Sequence, residues 1–407
     1  MNICVVGSGG REHALATVLR RHHDVCVTPG NPGIEGSVST PPEEIDADLY
    51  VIGPEAPLVD GLADRLRAKG KLVFGPGADG ARLEGSKAWM KEVLVAAGVP
   101  TAGHGTFTNE EEAIAFLDTM DGFYVVKTDG LAAGKGVVVT DSYDEARQSI
   151  RDYLSGSAFG DAGRTVVIEE GLTGPELSVL AICDGKRAVA LAPAQDFKRI
   201  GDGDSGPNTG GMGAYSPVPF ATDDVLSVVM KNGVEPTLAE LQRRGIDYRG
   251  VLYAGLMLTP QGPKMLEYNV RFGDPETQVV LPRLQSDLGE LLASAAAGEL
   301  GALPRFVDDA AVTVVCAAQG YPRKVRTGDR IEGLAEAKAV PGVTVFCAGV
   351  DSDAAGNLIT ASGRVLSVTG QGATLAIARR QAYEAVSKLH WPGMQFRRDI
   401  AEIAANS

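Results

Sequence analysis

Cysteine is scarce and scattered: five thiols in 407 residues, at Cys4, Cys26, Cys183, Cys316 and Cys347. An odd number at wide spacing makes no disulfide framework, and without Cys-x-x-Cys or His-Glu-x-x-His no zinc site is expected. Most of these cysteines stand in apolar, strand-like runs, as free buried thiols of a reducing cytoplasm do. Long hydrophobic runs are missing too, since none approaches the ~18 apolar residues of a membrane span. Met1 leads straight into Ile3-Cys4-Val5-Val6 with no basic or cleavable stretch before it. No secretory signal is expected, and a cytoplasmic location is. Positive charge is in deficit: 38 Lys and Arg against 52 Asp and Glu, a net charge of −14. Nucleic-acid binding through a general basic surface is therefore not expected, because phosphate neutralisation needs clustered Lys and Arg. No Ser-His-Asp arrangement is apparent.

What is plentiful is glycine, 51 residues, roughly one in eight against an average of about 7%. The excess sits in a few loops, where it allows close backbone approach to ligands. Apolar content of 44% with 22% charged residues excludes wholesale disorder. At roughly 150 residues per domain the length implies two to four domains.

Residues 1–103 alternate strand-like runs (Asn2–Val6, Val25–Thr28, Asp48–Ile52, Lys71–Phe74) with helical patterns (Glu12–Arg21, Leu58–Ala68, Ser86–Ala97). That order predicts a Rossmann-like parallel sheet with crossover helices. Residues 104–175 read as a small α+β unit, with a helix at Asn109–Leu117 and strands at Phe123–Lys127, Val137–Thr140 and Thr165–Glu170. Strands dominate 176–308, with one helix near 222–244 and an apparent Gly/Ala linker at Ala293–Ala302. Residues 309–407 form a small mixed α/β unit ending in a helix at Thr374–Leu389. The fold class expected is thus α/β and multidomain.

Gly7-Ser8-Gly9-Gly10-Arg11-Glu12 follows the first strand and opens a helix. Such a turn exposes backbone N–H groups at the positive end of a helix dipole, which suits a phosphate. A dinucleotide fingerprint would need glycine where Glu12 stands and an acid ending the second strand, which ends in Pro29-Gly30-Asn31. A nicotinamide site is disfavoured. Arg11 opposes the dipole and favours an anion partner, while His13 reads as an ordinary packed imidazole. Lys127-Thr128-Asp129-Gly130-Leu131-Ala132-Ala133-Gly134-Lys135-Gly136 joins two strands and could fold over a triphosphate. It is not a Walker loop: the spacing is one residue short, Gly136 replaces the Ser or Thr, and no helix follows.

Met265–Arg271 alternates with period two. Leu266, Tyr268 and Val270 point one way, and Glu267, Asn269 and Arg271 the other, about 7 Å apart in turn. A carboxylate and an amide oxygen suit a divalent cation completed by phosphate and water. The guanidinium suits a transferring phosphoryl group. Phe272–Gln278 then ends this face in a polar turn. Thr165–Glu170 ends in two carboxylates, followed by Glu176, and is equally readable as an adenosine-binding edge or a surface hairpin. Asp196-Phe197-Lys198-Arg199 and Gly206–Gly213 add charge and backbone donors for a small anion.

These segments resemble the ATP-grasp enzymes, and within them the phosphoribosylamine–glycine ligase (glycinamide ribonucleotide synthetase) family of purine biosynthesis. The resemblance runs through Gly9–Ala14, Gly53–Leu58, Leu83–Lys87, Lys127–Gly136, the 169–172 turn, Gly206–Pro217 and Glu267–Gln278, in the family's order. It implies a two-part ATP-grasp core. It also implies ATP-dependent joining of glycine to 5-phosphoribosylamine through glycyl phosphate, with Mg2+ or Mn2+. By this resemblance Glu267 and Asn269 hold the metal, and Arg271 and Lys135 are catalytic, with Asp274 beside them. Lys87, Lys127, Gly134, Lys135 and Gly136 meet ATP phosphates, and Glu169, Glu170, Leu172 and Glu176 frame the adenosine. Gly9, Gly10, Arg11, Gly53 and Glu55 receive the phosphoribosyl group. Asp196, Lys198, Asn208, Gly210 and Gly211 complete the substrate site. Phe197 stands where the resemblance implies a histidine after Asp196, which counts against a catalytic duty at that position. A monomer is expected, with transient contact to neighbouring pathway enzymes. A ligase for another carboxylate and amine, and a nucleotide-sensing protein without turnover, remain alternatives at this level.

Overall fold

Apolar strand runs buried on both faces need a parallel sheet covered on both sides, and residues 2–74 build one. The computed structural model describes residues 1–130, 136–156, 164–301 and 303–406. Its first sheet has the order Asp24–Pro29, Asn2–Gly7, Leu49–Ile52, Val73–Phe74, all parallel. The expected helix Leu58–Ala68 is two, Glu55–Val59 and Leu62–Ala68, because Gly61 takes a left-handed φ of 77° between them. A helix at Ala78–Gly85, not foreseen, precedes Lys87–Ala96, whose start is capped by Ser86 Oγ accepting from Trp89 N.

The next sheet is antiparallel, in the order His104–Phe107, Val166–Glu170, Tyr124–Thr128, Val137–Thr140. Helices Glu110–Leu117 and Tyr143–Leu154 pack on it. Asn109 Oδ1 caps the first by accepting from the N–H groups of Glu111 and Glu112. This unit has a small core of its own around Val126, Ile150 and Ile168.

The central sheet runs Ala188–Ala190, Glu176–Asp184, Arg249–Thr259, Gly262–Asn269, again antiparallel. Its two long strands divide two cores by alternation. Leu177, Val179, Ala181 and Cys183 enter one core, and Leu180 and Ile182 the other. The stretch Ala293–Ala302 is not a linker over its first half. Helix Leu288–Ala297 covers it, burying Leu292, Ala295 and Ala296 and ending at Gly298 with φ 82°. Alanine is the best helix former, and the buried leucines supply the apolar face.

The last sheet has the order Gln195–Asp196, Gly213–Ser216, Ala310–Ala317, Arg364–Gly372, Val343–Cys347. Its first two strands precede residue 308, so this sheet crosses the boundary expected there. Helix Leu375–Val386 lies so close that a Cβ on Gly370 would sit 2.2 Å from the Ala378 carbonyl oxygen. Among the described residues no helix is long and apolar enough to cross a membrane.

His13, on helix Gly10–Leu19, joins the first sheet's unit to the last sheet. Its Nδ1 accepts from Cys347 N at 2.8 Å, and its ring meets Phe346 edge-on at 5.6 Å. An N–H aimed at Nδ1 needs that nitrogen unprotonated. Burial, with help from Lys338 and Arg20, lowers the imidazole pKa from 6.5 to about 4. The unfolded chain therefore binds a proton that the fold refuses, and stability falls as pH drops from 6.5 towards 4. In urea titrations at pH 7 and 4.5, His13→Asn keeps an acceptor but cannot titrate. It should lose about 2–3 kcal/mol less than the wild type between the two pH values. Equal losses in both proteins would remove His13 from this linkage.

Candidate active site

A cleft of about 1560 Å3 is lined by the second, central and last sheets and by the helices and loops that follow the first sheet's strands. One strand, Gly262–Asn269, supplies its floor. A bulge sets Gly255 opposite Glu267 but Leu256 opposite Met265, so Leu266 is the extra residue. Met265, Tyr268 and Val270 enter the core, while Glu267, Asn269 and Arg271 line the cleft. Alternation placed these three on one side as expected. Leu266 does not follow the expected pattern: the bulge puts it on the cleft wall.

Arg271 is gripped by the opposite wall. Its Nη2 lies 2.9 Å from Glu84 Oε1, its Nε 3.2 Å from Glu55 Oε2, and its Nη1 donates to the Phe272 carbonyl. Burial disfavours the guanidinium charge, but the two carboxylates outweigh it and raise the pKa above its ordinary value. Burial pushes Glu84 up, only partly countered by Arg271. Burial also opposes Glu55, yet Arg271 and Arg11 hold it below the usual range. Glu84 Oε2 further accepts from Val270 N at 2.9 Å, which pins the strand end.

Glu169 is shared by two lysines. Lys127 Nζ sits 2.7 Å from Oε1 and Lys91 Nζ 2.8 Å from Oε2, all nearly inaccessible to solvent. Burial opposes ionisation of Glu169, and the two ammonium groups override it and lower its pKa. Burial pulls Lys91 down to about 8. Lys87 Nζ donates to the Gly130 carbonyl at 2.9 Å. Lys198 Nζ stands 2.7 Å from Glu176 Oε2 and 3.9 Å from Glu267 Oε1. Burial opposes charge on Glu267, but Lys198, Lys127, Lys87 and Arg271 hold its pKa below the ordinary value. Asp196 is pushed well up by burial, with Glu276, Glu176 and Glu267 adding repulsion.

An ionised Glu267 beside the Asn269 amide is an oxygen donor pair suited to a hard divalent cation. Among the described residues no group of three or more His, Cys, Asp or Glu forms a closed cage. Phosphate and water would complete the shell, as Mg2+ prefers.

The glycine turn differs from its expected use. Glu12 caps its own helix, with Oε2 accepting from Gly9 N at 2.6 Å and Oε1 bound by Arg11 Nε at 2.6 Å. A Cβ on Gly7 or Gly53 would fall within 2.5 Å or 2.1 Å of Glu12 atoms. These glycines make room for an internal carboxylate, and Gly9, Gly10 and Gly53 are not on the cleft wall. Gly10 is buried against Gln278 and Ser367, and Gly211, with φ 108°, against Pro275. Arg11, Glu55, Asp196, Lys198, Asn208, Gly210 and Asp274 do line the cleft, as do Lys87, Lys127, Gly136, Glu169, Leu172 and Glu176. Glu170 lines it too, although its side chain binds Gly103 N and Lys264. Gly134 and Lys135 lie outside the described residues.

Sequence reasoning assigned no role to Glu84, Lys91 or Arg364. Arg364 reaches from the last sheet to Asp274 Oδ2 at 3.2 Å and to the Gly210 carbonyl at 2.6 Å. Nor did it assign one to Glu276, which accepts from Tyr253 OH and Ser178 Oγ. Glu84 and Glu276 fall within segments that carry the resemblance but were given no role by it, and Lys91 and Arg364 fall in none. Only a pairing across the fold marks them.

Glu267→Ala removes the ionised member of the oxygen pair. The expected result is a roughly hundredfold or greater loss of ATP turnover in a variant that still folds and melts cooperatively. A near-normal rate would exclude Glu267 from the metal site.

Family models for phosphoribosylglycinamide synthetase match three consecutive stretches: the N domain at residues 1–84, the ATP-grasp (A) domain at 85–277 and the C domain at 311–403. A phosphoribosylamine–glycine ligase of Streptomyces coelicolor is 48% identical over 427 residues, covering 100% of both chains. That of Mesorhizobium japonicum is 46% identical, covering 98% of this chain and 97% of its own. The crystal structure of phosphoribosylamine–glycine ligase from Thermotoga maritima superposes with a TM-score of 0.87 at 35% identity, over 98% of this chain and 100% of that one. A biotin carboxylase domain from Hydrogenobacter thermophilus, solved with MgADP, covers 97% of this chain and 91% of its own. At a TM-score of 0.72 and 17% identity it shares the fold alone. Three domain models in order along one chain, with relatives nearly half identical from end to end, place it in the phosphoribosylamine–glycine ligase (phosphoribosylglycinamide synthetase) family.

Proposed function

We propose that the protein ligates glycine to 5-phosphoribosylamine in purine biosynthesis, converting ATP to ADP and phosphate and releasing glycinamide ribonucleotide. The observation that carries this reading is the convergence of Glu267, Asn269 and Arg271 with Lys87 and Lys127 on one cleft, in a chain related end to end to such ligases. Glu267 and Asn269 would hold the divalent ion, Mg2+ or Mn2+, which when bound neutralises phosphate charge. Lys127, oriented by Glu169, and Lys87 receive ATP phosphates. Glu169, Glu170, Leu172 and Glu176 frame the adenosine.

A glycine carboxylate oxygen attacks the γ-phosphorus. The bond from phosphorus to the β-phosphate oxygen breaks, and ADP leaves. Glycyl phosphate is the intermediate. The neutral amine of phosphoribosylamine then attacks the acyl carbon, the carbon–oxygen bond to phosphate breaks, and the amine loses a proton. No side-chain nucleophile is required, so positioning and charge neutralisation carry the catalysis. Arg271 has five N–H groups, three of them engaged by Glu84, Glu55 and Phe272. The other two serve the transferring phosphoryl group. Arg11, Glu55, Asp196, Lys198, Asn208, Gly210 and Asp274 accommodate the two acceptor substrates. The sheet with its own core, closing from the Tyr124–Thr128 side, keeps water from the acyl phosphate.

The test is an ADP-release assay with phosphoribosylamine generated in situ and each substrate omitted in turn. Sustained, multiple-turnover ADP release should require glycine, phosphoribosylamine and ATP together. Release with a different carboxylate and amine, and not with these, would replace the substrate assignment. Glycine labelled with 18O in its carboxylate should deliver one labelled oxygen to each phosphate formed. Unlabelled phosphate would rule out glycyl phosphate.

A further inference from the structure

Between its two strands in the last sheet, Gln195–Asp196 and Gly213–Ser216, the chain makes an excursion over the cleft. The excursion carries Lys198 and contains the short hairpin Arg199–Gly201 and Ser205–Asn208. So small an isolated hairpin does not hold its shape alone.

The C-terminal tail holds it. Arg397, with a side chain 1% exposed, gives Nη1 to Asp204 Oδ1 at 2.6 Å and to the Arg199 carbonyl at 3.2 Å. Its Nε and Nη2 grip both oxygens of Asp399 at 2.8 and 2.6 Å. Its guanidinium carbon lies 4.9 Å from the centre of the Phe197 ring, a stacking contact. Asp399 Oδ2 also accepts from Gly203 N, at 2.8 Å. The tail is anchored from behind, because Tyr383 OH donates to the Arg397 carbonyl at 2.8 Å.

Two further observations point to the same junction. Among the described residues, the non-glycine positions with positive φ are Asp204 at 52° and Ala401 at 57°, one on each side of it. Backbone strain of this kind persists where surrounding contacts over-determine a geometry, commonly at functional sites. At the neck of the excursion, Thr209 N and Oγ1 both donate to the Lys198 carbonyl at 2.7 Å. The far end of the hairpin is thereby tied to the backbone of Lys198, whose Nζ stands between Glu176 and Glu267.

We infer that Arg397 is a positioning residue of the ligase reaction: stacked on Phe197 and gripping the 199–208 hairpin, it sets Lys198 between Glu176 and Glu267. Phe197 thus contributes a ring face and no proton transfer. The inference rests on the ligase reading above.

The test compares wild type, Arg397→Met, Lys198→Met and the double variant by ADP release and thermal melting. Arg397→Met should lower kcat by ~10-fold or more, since an ångström of misplacement can remove as much as ~100-fold. The KM for phosphoribosylamine should stay within about threefold. In the Lys198→Met background the same substitution should change kcat by less than about twofold, whatever it does to the melting temperature. An equal loss in both backgrounds, or no loss in either, overturns the inference. Should Arg397→Met fail to fold, Phe197→Leu keeps the apolar bulk and removes the ring face. A several-fold kcat loss that vanishes without Lys198 supports the inference, and an unchanged kcat overturns it. A wild type that releases no ADP with the three substrates defeats the ligase reading itself. An active wild type with additive variants defeats only the role of Arg397.

Discussion

Charges taken out of water must neutralise one another, and the cleft floor is built on that constraint. Arg271 is held between Glu84 and Glu55 and Glu169 between Lys91 and Lys127, while Lys198, about a third exposed, stands beside Glu176 and Glu267 at the open side of the cleft. Each arrangement joins different parts of the chain. Arg271 follows the central sheet while its partners come from the first hundred residues, and Lys91 reaches from a helix to a strand of the neighbouring sheet. The groups proposed to handle phosphate are therefore also the fasteners between units. Their positions are set before any substrate arrives, which is what electrostatic stabilisation of a transferring phosphoryl group requires.

The last sheet extends the same logic to the far end of the chain. It takes two strands from the middle of the sequence and three from the end. The segment 197–212 thus leaves and re-enters a sheet whose other members belong to the C-terminal hundred residues. Arg364 and Arg397 reach the cleft from that end, the first to Asp274 and the second to the 199–208 hairpin. A unit that could be taken for an appendage is part of the cleft wall.

Much of the site was legible because its chemistry sits in contiguous segments. Period-two alternation sufficed to put Glu267, Asn269 and Arg271 on one face, and the family resemblance supplied the ligase family that the three domain models and full-length relatives bear out. The glycine turn was legible as a turn but not in its use. No local pattern says that Glu12 will fold back over Gly7 and Gly53 and occupy the space their side chains would take. The bulge at Leu266 was equally hidden, since it is a property of how Gly255 and Leu256 pair with a neighbouring strand. The stretch from Ala293 looked like a linker because alanine and glycine carry little pattern. Its helix is decided by the core it covers.

The chain by itself determined the strand and helix periodicities, the deficit of positive charge and the family motifs, because each is written in neighbouring residues. Tertiary structure alone decided which buried charges are paired. Glu84 finds Arg271, Lys91 finds Glu169 and Arg397 finds Asp204 across 187, 78 and 193 positions. Coulomb attraction acts through space and desolvation depends on what covers a group, so neither can be read along the chain.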